Sequence, residues 1–271
     1  MLPTGIEYNY HSTPWATLGL ILACSLIFLL QLSAPIEDQL GFMIQPDRVA
    51  PWQWVTSTFM HGGLLHLAGN MLFLWVYGRY LEERLGHGRY LGLYLALGLG
   101  ASLVFFFAHF GEGTPALGAS GAISGLMGVV LIAAPRAKVH VVWRLYWSFH
   151  VPAWLLLGHW VMEQFWMASA GVEGIAIAAH LGGFALGAIA AALMRGPLVQ
   201  ITGWFLDPAA STHSDITRGH DEAIWEAIAD HHARKRGPRL PPGGLPAAPG
   251  EPKVPTWDGA SGPRRDDPRN R

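Results

Sequence analysis

Six long apolar stretches constrain this chain more than any other feature of its sequence. A helix that crosses a bilayer needs about 20 mostly apolar residues. Of the 271 residues, 51% are hydrophobic and 14% are charged, whereas soluble domains carry about 25% charged residues. We therefore predict an all-α, polytopic membrane protein with spans at Trp15–Ser33, Gly63–Tyr80, Tyr90–Phe110, Ser120–Ala134, Val151–Met167 and Ile175–Leu193.

The fourth stretch is shorter than the other five. Its length suits a helix that begins below the membrane surface, after irregular backbone that protein or a water-filled cavity surrounds. Ser120 stands at this beginning, in the segment GASGAISG at 118–125. A serine between glycines serves either close helix packing or chemistry, and the segment alone leaves both interpretations open.

The basic residues predict the orientation, because Lys and Arg accumulate in cytoplasmic loops. They lie between spans two and three, between spans four and five, and after span six, whereas the opposite loops carry almost none. We therefore expect a cell-membrane protein with both termini in the cytoplasm. Spans two, four and six then run from outside to inside, which places Ser120 near the outer face.

The composition divides the chain into three parts. We expect residues 1–14 to be a cytoplasmic N-terminus and residues 15–195 to be the membrane domain. Residues 196–271 form a predicted cytoplasmic tail, with a short amphipathic helix at about 221–236 and then a disordered Pro/Gly-rich segment. The short helix suits a solvated surface or a site for a partner.

Charge and cysteine content exclude several classes of protein. The net charge is −1 without a concentrated basic face, so nucleic acid is not an expected partner. The single cysteine, Cys24, has no partner for a disulfide or a thiolate metal site. His61, His66 and His180 could be imagined around zinc, but no HExxH or paired thiolate pattern is present. We expect no metal and no cofactor.

The sixth stretch carries a histidine inside the predicted membrane. In AAHLGGFALG at 178–187, His180 lies on one helix face with Gly183 and Gly187. The fourth stretch offers a complementary face with Gly121, Gly125 and Gly128. If these faces meet, Ser120 and His180 approach each other at similar depth. A histidine can then accept the serine proton and activate the hydroxyl as a nucleophile.

The second stretch begins with two further polar side chains. In HGGLLHLAGN at 61–70, His66 and Asn70 are four residues apart and share a helix face in the outer half of the bilayer. Such side chains could donate hydrogen bonds to the oxyanion that forms during acyl transfer. An interhelical hydrogen bond for Asn70 and a core position for His66 are the alternatives.

Together with a fourth segment, these motifs resemble one family, the rhomboid intramembrane serine proteases. GASG resembles that family's nucleophile motif, AHLGGFALG its general-base motif, and HGGLLHLAGN its His-xxxx-His-xxx-Asn segment. YGRYLEERLG at 77–86 is similar to its Gly-xxx-Glu-xxx-Gly element through Gly78, Glu82 and Gly86. The resemblance covers residues 15–195 and leaves the tail uncovered.

The resemblance implies a role for each matching residue. Ser120 matches the nucleophile and His180 the general base of a dyad without an acidic third member. The implied oxyanion donors are His66, Asn70 and the Ser120 backbone N–H, while Gly118 and Gly121 permit the approach to the nucleophile. The implied fold is a six-helix bundle with a short, central fourth helix and a cavity that opens outward. The implied partners are the lipid bilayer and transmembrane protein substrates, which are cut in or near a membrane segment.

Two positions depart from the pattern that this resemblance implies. Gln53, in PWQWV, stands where the family often has an arginine, which puts a headgroup contact there in doubt. His159 and Glu163 lie four apart in span five, where apolar residues would be ordinary. They could pair inside the bundle or take part in substrate selection.

Two rival functions remain open. A non-catalytic relative would only bind transmembrane helices, but such relatives usually lack the serine or the histidine. A proton-coupled transporter could use His159, Glu163 and His180 as a proton path. That class often has inverted repeats, and the two halves of this sequence have none that we can detect.

Overall fold

Helices account for most of the computed structural model, which describes residues 2–143, 147–172 and 174–194. The predicted tail helix at 221–236 lies outside the described residues. A one-turn 3₁₀ helix, Ser57–Phe59, follows the helix Gln53–Thr56, and a π-helical turn, Leu74–Gly78, joins the helices Leu64–Phe73 and Arg79–Leu85. The α-helices are α1 (Trp15–Gln31), α2 (Ile36–Leu40), α3 (Gln53–Thr56), α4 (Leu64–Phe73), α5 (Arg79–Leu85), α6 (His87–Ala108), α7 (Ser120–Ala133), α8 (Ala153–Ser169) and α9 (Ile177–Met194).

Each of the six predicted stretches coincides with helix in the described part of the chain, but their crossing of a membrane is a separate question. By length and composition, α6 and α9 could each span a bilayer. The segments Gln53–Phe59 and Leu64–Leu85, bent by 95° at their junction, form a third candidate. Since α1 and α7 are shorter apolar helices, the count of six spans stays a prediction.

The short helix α7 lies at the centre of the helical packing. It has 14 residues, and every residue from Gly121 to Val130 is buried. It contacts α9 most extensively and also packs against α6. On the α6 side, a methyl group added at Gly121 would lie 2.7 Å from the Ala101 Cβ. Small residues therefore let α7 approach both neighbours closely.

The glycine faces of α7 and α9 are in direct contact, which is the condition that the sequence left open. A methyl group at Gly183 would overlap the backbone carbonyl oxygen of Gly121, and one at Gly187 would overlap that of Gly125. From the other helix, a methyl group at Gly128 would overlap the carbonyl oxygen of Phe184. Backbone packs on backbone along this contact. α7 and α9 can lie this close only because the glycines carry no side chains.

A three-stranded antiparallel sheet corrects the all-α prediction. The strands β1 (Leu2–Ile6), β2 (Lys138–Trp143) and β3 (Trp147–Pro152) pair in the order β1-β2-β3. In the register, Val139 of β2 lies between Ile6 of β1 and Val151 of β3. Val139 and Val141 are fully buried, as alternating β-branched residues on a half-buried strand favour. Residues 2–6, predicted only as a cytoplasmic terminus, are thus part of this sheet.

Glu82, in the middle of α5, joins this helix to the start of α1. Its buried carboxylate accepts hydrogen bonds from the backbone N–H groups of Ala16 and Thr17, each at 2.8 Å, and from the Thr17 hydroxyl at 2.6 Å. The first N–H groups of a helix have no partner within it, so Glu82 satisfies donors that α1 leaves free. Gly86 then turns the chain from α5 into α6 with a φ of +76°, where glycine is favoured.

Candidate active site

The side chains of Ser120 and His180 meet where α7 and α9 begin. Ser120 is the first residue of α7, and His180 lies in the first turn of α9. The Ser120 Oγ is 2.8 Å from the His180 Nε2. The contact between the glycine faces brings the two residues together although 60 positions separate them. A hydroxyl that donates to an imidazole nitrogen is the arrangement that precedes proton transfer to a base.

A third residue, which the sequence analysis missed, contacts the other nitrogen of this histidine. The Gln164 Oε1, on α8, is 2.9 Å from the His180 Nδ1. Gln164 is buried, with 3% of its surface exposed. A polar amide in an apolar stretch is a functional candidate by default, and this signal was available in the sequence.

The neighbouring polar residues of α8 point elsewhere. His159 and Glu163 are both exposed. Within the described part of the chain, the ion pairs within 4.0 Å do not include one between them. The interpretation that they pair inside the bundle is therefore wrong. The polar contact from α8 into the bundle comes from Gln164, one position further along the helix.

Gly118 brings the backbone before Ser120 close to α4. Its φ is +125°, a backbone conformation that residues with a side chain rarely adopt. Its N–H donates to the Ser57 carbonyl at 2.8 Å. A methyl group at Gly118 would lie 3.0 Å from the His66 Nε2 and 3.6 Å from the Asn70 Nδ2. Any larger residue would thus fill the space beside these two nitrogens.

His66 and Asn70 both present a donor to this space. The Gly62 N–H donates to the His66 Nδ1 at 3.3 Å, so a neutral His66 ring carries its proton on Nε2, the nitrogen near Gly118. Among the described residues, the buried Asn70 Nδ2 has no hydrogen-bond partner. Of the six buried side-chain atoms without a partner in the described residues, this one lies beside Gly118. This one therefore suits a ligand that enters the site.

These side chains share one large cavity, with a volume of about 1420 Å³. Its walls come from the start of α4, the end of α6, the loop before α7 and the segment before α9. The polar residues in contact with it include Ser120, His180, His66 and Asn70, and the apolar ones include Phe73, Met127 and Trp160. The cavity is large enough to admit a segment of polypeptide.

Two further sequence candidates, Gln53 and His61, are buried, and the His61 ring lies edge-on to the His66 ring with 5.3 Å between the ring centroids. Gln53 is buried, and its amide accepts from the Ala50 N–H at 3.0 Å and donates to the Gly41 carbonyl at 3.2 Å. Its side chain therefore holds the loop and does not face headgroups. His61 is also buried, with its Nδ1 3.3 Å from the Phe59 carbonyl oxygen. No group of three His, Cys, Asp or Glu side chains in the described ranges is arranged to hold a metal ion.

Comparison with known proteins adds the family to this geometry. A family model described as the Rhomboid domain matches residues 48–197, which is more than half of the chain. The chain belongs to the rhomboid family. The matched range contains the serine, the histidine and the glycine faces that bring them together, and rhomboids are membrane-embedded proteins.

Several named rhomboids are similar to this one. Rhomboid-like protein 11, chloroplastic, from Arabidopsis thaliana is 33% identical over 175 residues, which are 62% of this chain and 57% of that protein. The rhomboid protease GlpG from Yersinia pseudotuberculosis is 31% identical over 185 residues, which are 65% of this chain and 61% of that protein. The rhomboid protease GluP from Bacillus subtilis is 42% identical over 84 residues, which are 31% of this chain and 16% of that protein.

These relatives match the chain over only part of their length, so their activity and location do not carry over to it directly. The chain spans less than two thirds of the length of each of these relatives. Two of them carry the word protease in their names, and one is a chloroplast protein. The family is therefore established for this rhomboid, whereas its reaction and its membrane are matters for proposal.

Proposed function

We propose that this rhomboid is a serine endopeptidase that hydrolyses peptide bonds in or near transmembrane segments of other proteins. The 2.8 Å contact between the Ser120 Oγ and the His180 Nε2 carries the proposal. In the first step, Oγ attacks the substrate carbonyl carbon while Nε2 takes its proton. The imidazolium then gives that proton to the leaving amine, and water releases the acyl group from Ser120 by the same route in reverse.

The oxyanion of each tetrahedral intermediate needs donors beside Ser120. The proposed donors are the Nε2–H of His66, the amide nitrogen of Asn70 and the backbone N–H of Ser120. The positions of the first two beside Gly118 support this assignment. The third is the N–H of the first residue of α7, and a helix N-terminus favours negative charge. Donors that are fixed before the reaction need no reorganisation when the charge develops.

The proposed substrate is a transmembrane helix that unwinds locally beside the cavity. A peptide bond within a helix is hydrogen-bonded to its own chain and cannot present its carbonyl carbon to Ser120. We further propose the six-span topology with cytoplasmic termini, which the distribution of Lys and Arg supports. The cavity then opens toward the outer side of a cell membrane, because α4, α7 and α9 all begin beside it.

A fluorophosphonate probe tests the nucleophile directly. We expect the probe to modify Ser120, and we expect Ser120→Ala and His180→Ala each to abolish cleavage of a model transmembrane substrate. The double variant should be no worse than either single one, because nucleophile and base act as a unit. Peptide mass spectrometry locates the label, and a gel assay measures cleavage.

Ser124→Ala is the matched control. The Ser124 hydroxyl lies on the same helix but donates to the Gly121 carbonyl at 2.8 Å. This variant should keep both labelling and cleavage. Cleavage by a folded Ser120→Ala variant at an unchanged bond would refute the proposal. A folded wild-type protein that is neither labelled nor active would instead favour the rival function of binding transmembrane helices.

A further inference from the structure

We propose that Gln164 is a positioning residue, which holds His180 in the one tautomer that can accept the Ser120 proton. This inference rests on the proposed function. The three side chains form a continuous chain of contacts. The Gln164 Oε1 is 2.9 Å from the His180 Nδ1, and the His180 Nε2 is 2.8 Å from the Ser120 Oγ. The neutral amide thus occupies the place that a carboxylate takes in a three-residue serine hydrolase site.

The tautomer argument follows from the donor and acceptor inventory of imidazole. A neutral histidine carries one proton, on Nδ1 or on Nε2. Only the Nδ1–H form leaves Nε2 free to accept from the Ser120 hydroxyl. An amide oxygen beside Nδ1 accepts that N–H and therefore stabilises this form. Without the acceptor, the two tautomers compete, and the ring loses one of the contacts that fix its rotation.

The surroundings of Gln164 explain why a neutral acceptor suits this position. Gln164 is buried on the inner side of α8, whereas the ionisable residues His159 and Glu163 are exposed. A buried carboxylate would need further partners to offset its desolvation. One turn before Gln164, the Trp160 ring lies 6.1 Å from the His180 ring and stacks on Phe184 at 5.7 Å. α8 therefore restricts the rotation of the His180 ring through the hydrogen bond to Gln164 and the neighbouring Trp160 ring.

Two substitutions separate positioning from packing. Gln164→Leu removes the acceptor at similar size, and Gln164→Glu keeps an acceptor of the same length. For the leucine variant, we expect kcat and the labelling rate of Ser120 to fall about tenfold or more at unchanged KM, which is the effect of one lost hydrogen bond. The glutamate variant should recover most of kcat. Its carboxylate favours the imidazolium, so the acidic limb of its pH–rate profile should move to higher pH by about one unit.

The assay follows cleavage of a model transmembrane substrate and fluorophosphonate labelling between about pH 5 and 8. The other titratable groups that line the cavity, His66, His109 and Glu112, are the same in every variant. Leu157→Ala is the control, because it removes a fully buried side chain of α8 that is not part of the contact chain. It should lower the melting temperature and leave the pH–rate profile unchanged.

The outcomes are separable. A folded Gln164→Leu variant with wild-type kcat and pH–rate profile overturns the inference, as does a loss that Gln164→Glu does not recover. If the leucine variant does not fold, the glutamate variant decides. An unshifted acidic limb in its pH–rate profile overturns the inference and leaves the proposed function standing. A folded wild-type protein without Ser120 labelling or cleavage overturns the proposed function itself, and the inference with it.

Discussion

At the scale of single residues, His66 and Asn70 both hold a hydrogen-bond donor beside Gly118. A buried amide nitrogen without a partner costs about 1–3 kcal/mol, and the Asn70 Nδ2 is in this state in the described structure. The Gly62 N–H fixes the His66 proton on the nitrogen that faces the same space. The shared direction of the two donors favours a role in binding the oxyanion of a substrate.

Substitution of these two donors separates catalysis from packing. We expect Asn70→Ala and His66→Ala to lower turnover about 10²–10³-fold at nearly constant KM, as is typical for loss of one oxyanion donor. Loss of a packing hydrogen bond within a membrane averages only about 0.6 kcal/mol of stability. Turnover, KM and melting temperature are measured in one detergent. Early melting with normal turnover of the folded fraction would assign both side chains to packing.

At the scale of elements, the contact between α7 and α9 sets the geometry of the proposed dyad. Gly183 and Gly187 place the backbone of α9 against the carbonyl oxygens of Gly121 and Gly125. A separation of the two helices by the width of a methyl group would stretch the contact between Ser120 and His180. Helix packing and the proposed chemistry therefore both require glycine at these positions.

Gly187→Ala tests this coupling. The new methyl group would overlap the Gly125 backbone, so we expect a loss of about 1–3 kcal/mol in stability and a fall in turnover of the folded fraction. Gly158→Ala is the matched control, because nothing lies within 4 Å of its added methyl group on α8. Since alanine favours helix more than glycine does, the control should be neutral or stabilised. Equal effects of both substitutions on stability and turnover would contradict the coupling.

At the scale of the whole molecule, the apolar surface of the helices is what a bilayer would cover. Leucines recur at every fourth position along the exposed side of α6, at Leu91, Leu95, Leu99 and Leu103. A row of this kind lies on one face of a helix, and soluble monomers rarely expose large contiguous apolar patches. The opposite face of α6 packs against α7 and α9, so the same helix faces both protein and lipid.

Truncation after Asp207 tests the proposed division between membrane domain and tail. The motifs end before this residue, and the proposed tail lies on the opposite side of the membrane from Ser120. We therefore expect cleavage in detergent close to that of the full chain, with an unchanged melting temperature. Gel-based cleavage of a model substrate measures the first, and thermal unfolding the second. A folded truncated protein that has lost activity would assign the tail a part in catalysis.

The local pattern of the sequence was sufficient for the helical stretches and for the two glycine faces, whereas it predicted the approach of Ser120 and His180 only on the condition that those faces meet. A helix fixes which residues share a face, so the spacing of His180, Gly183 and Gly187 already determined one surface, and the glycines of α7 determined its complement. Apolar runs fixed the helical stretches, because a backbone in lipid must satisfy its own hydrogen bonds. These features depend on neighbours within a few turns, and a single sequence contains them.

Other features depended on contacts between distant segments, which only the tertiary structure decided. The strand Leu2–Ile6 exists because β2 supplies its partner more than 130 residues later. No hydrophobic periodicity within residues 2–6 predicts that pairing. The sequence places Glu163 and Gln164 side by side in α8, but the rotation of the helix decides that Gln164 reaches His180 while Glu163 stays exposed. Adjacent residues of a helix point about 100° apart around its axis. Packing over the whole helix surface therefore decides which of the two faces inward.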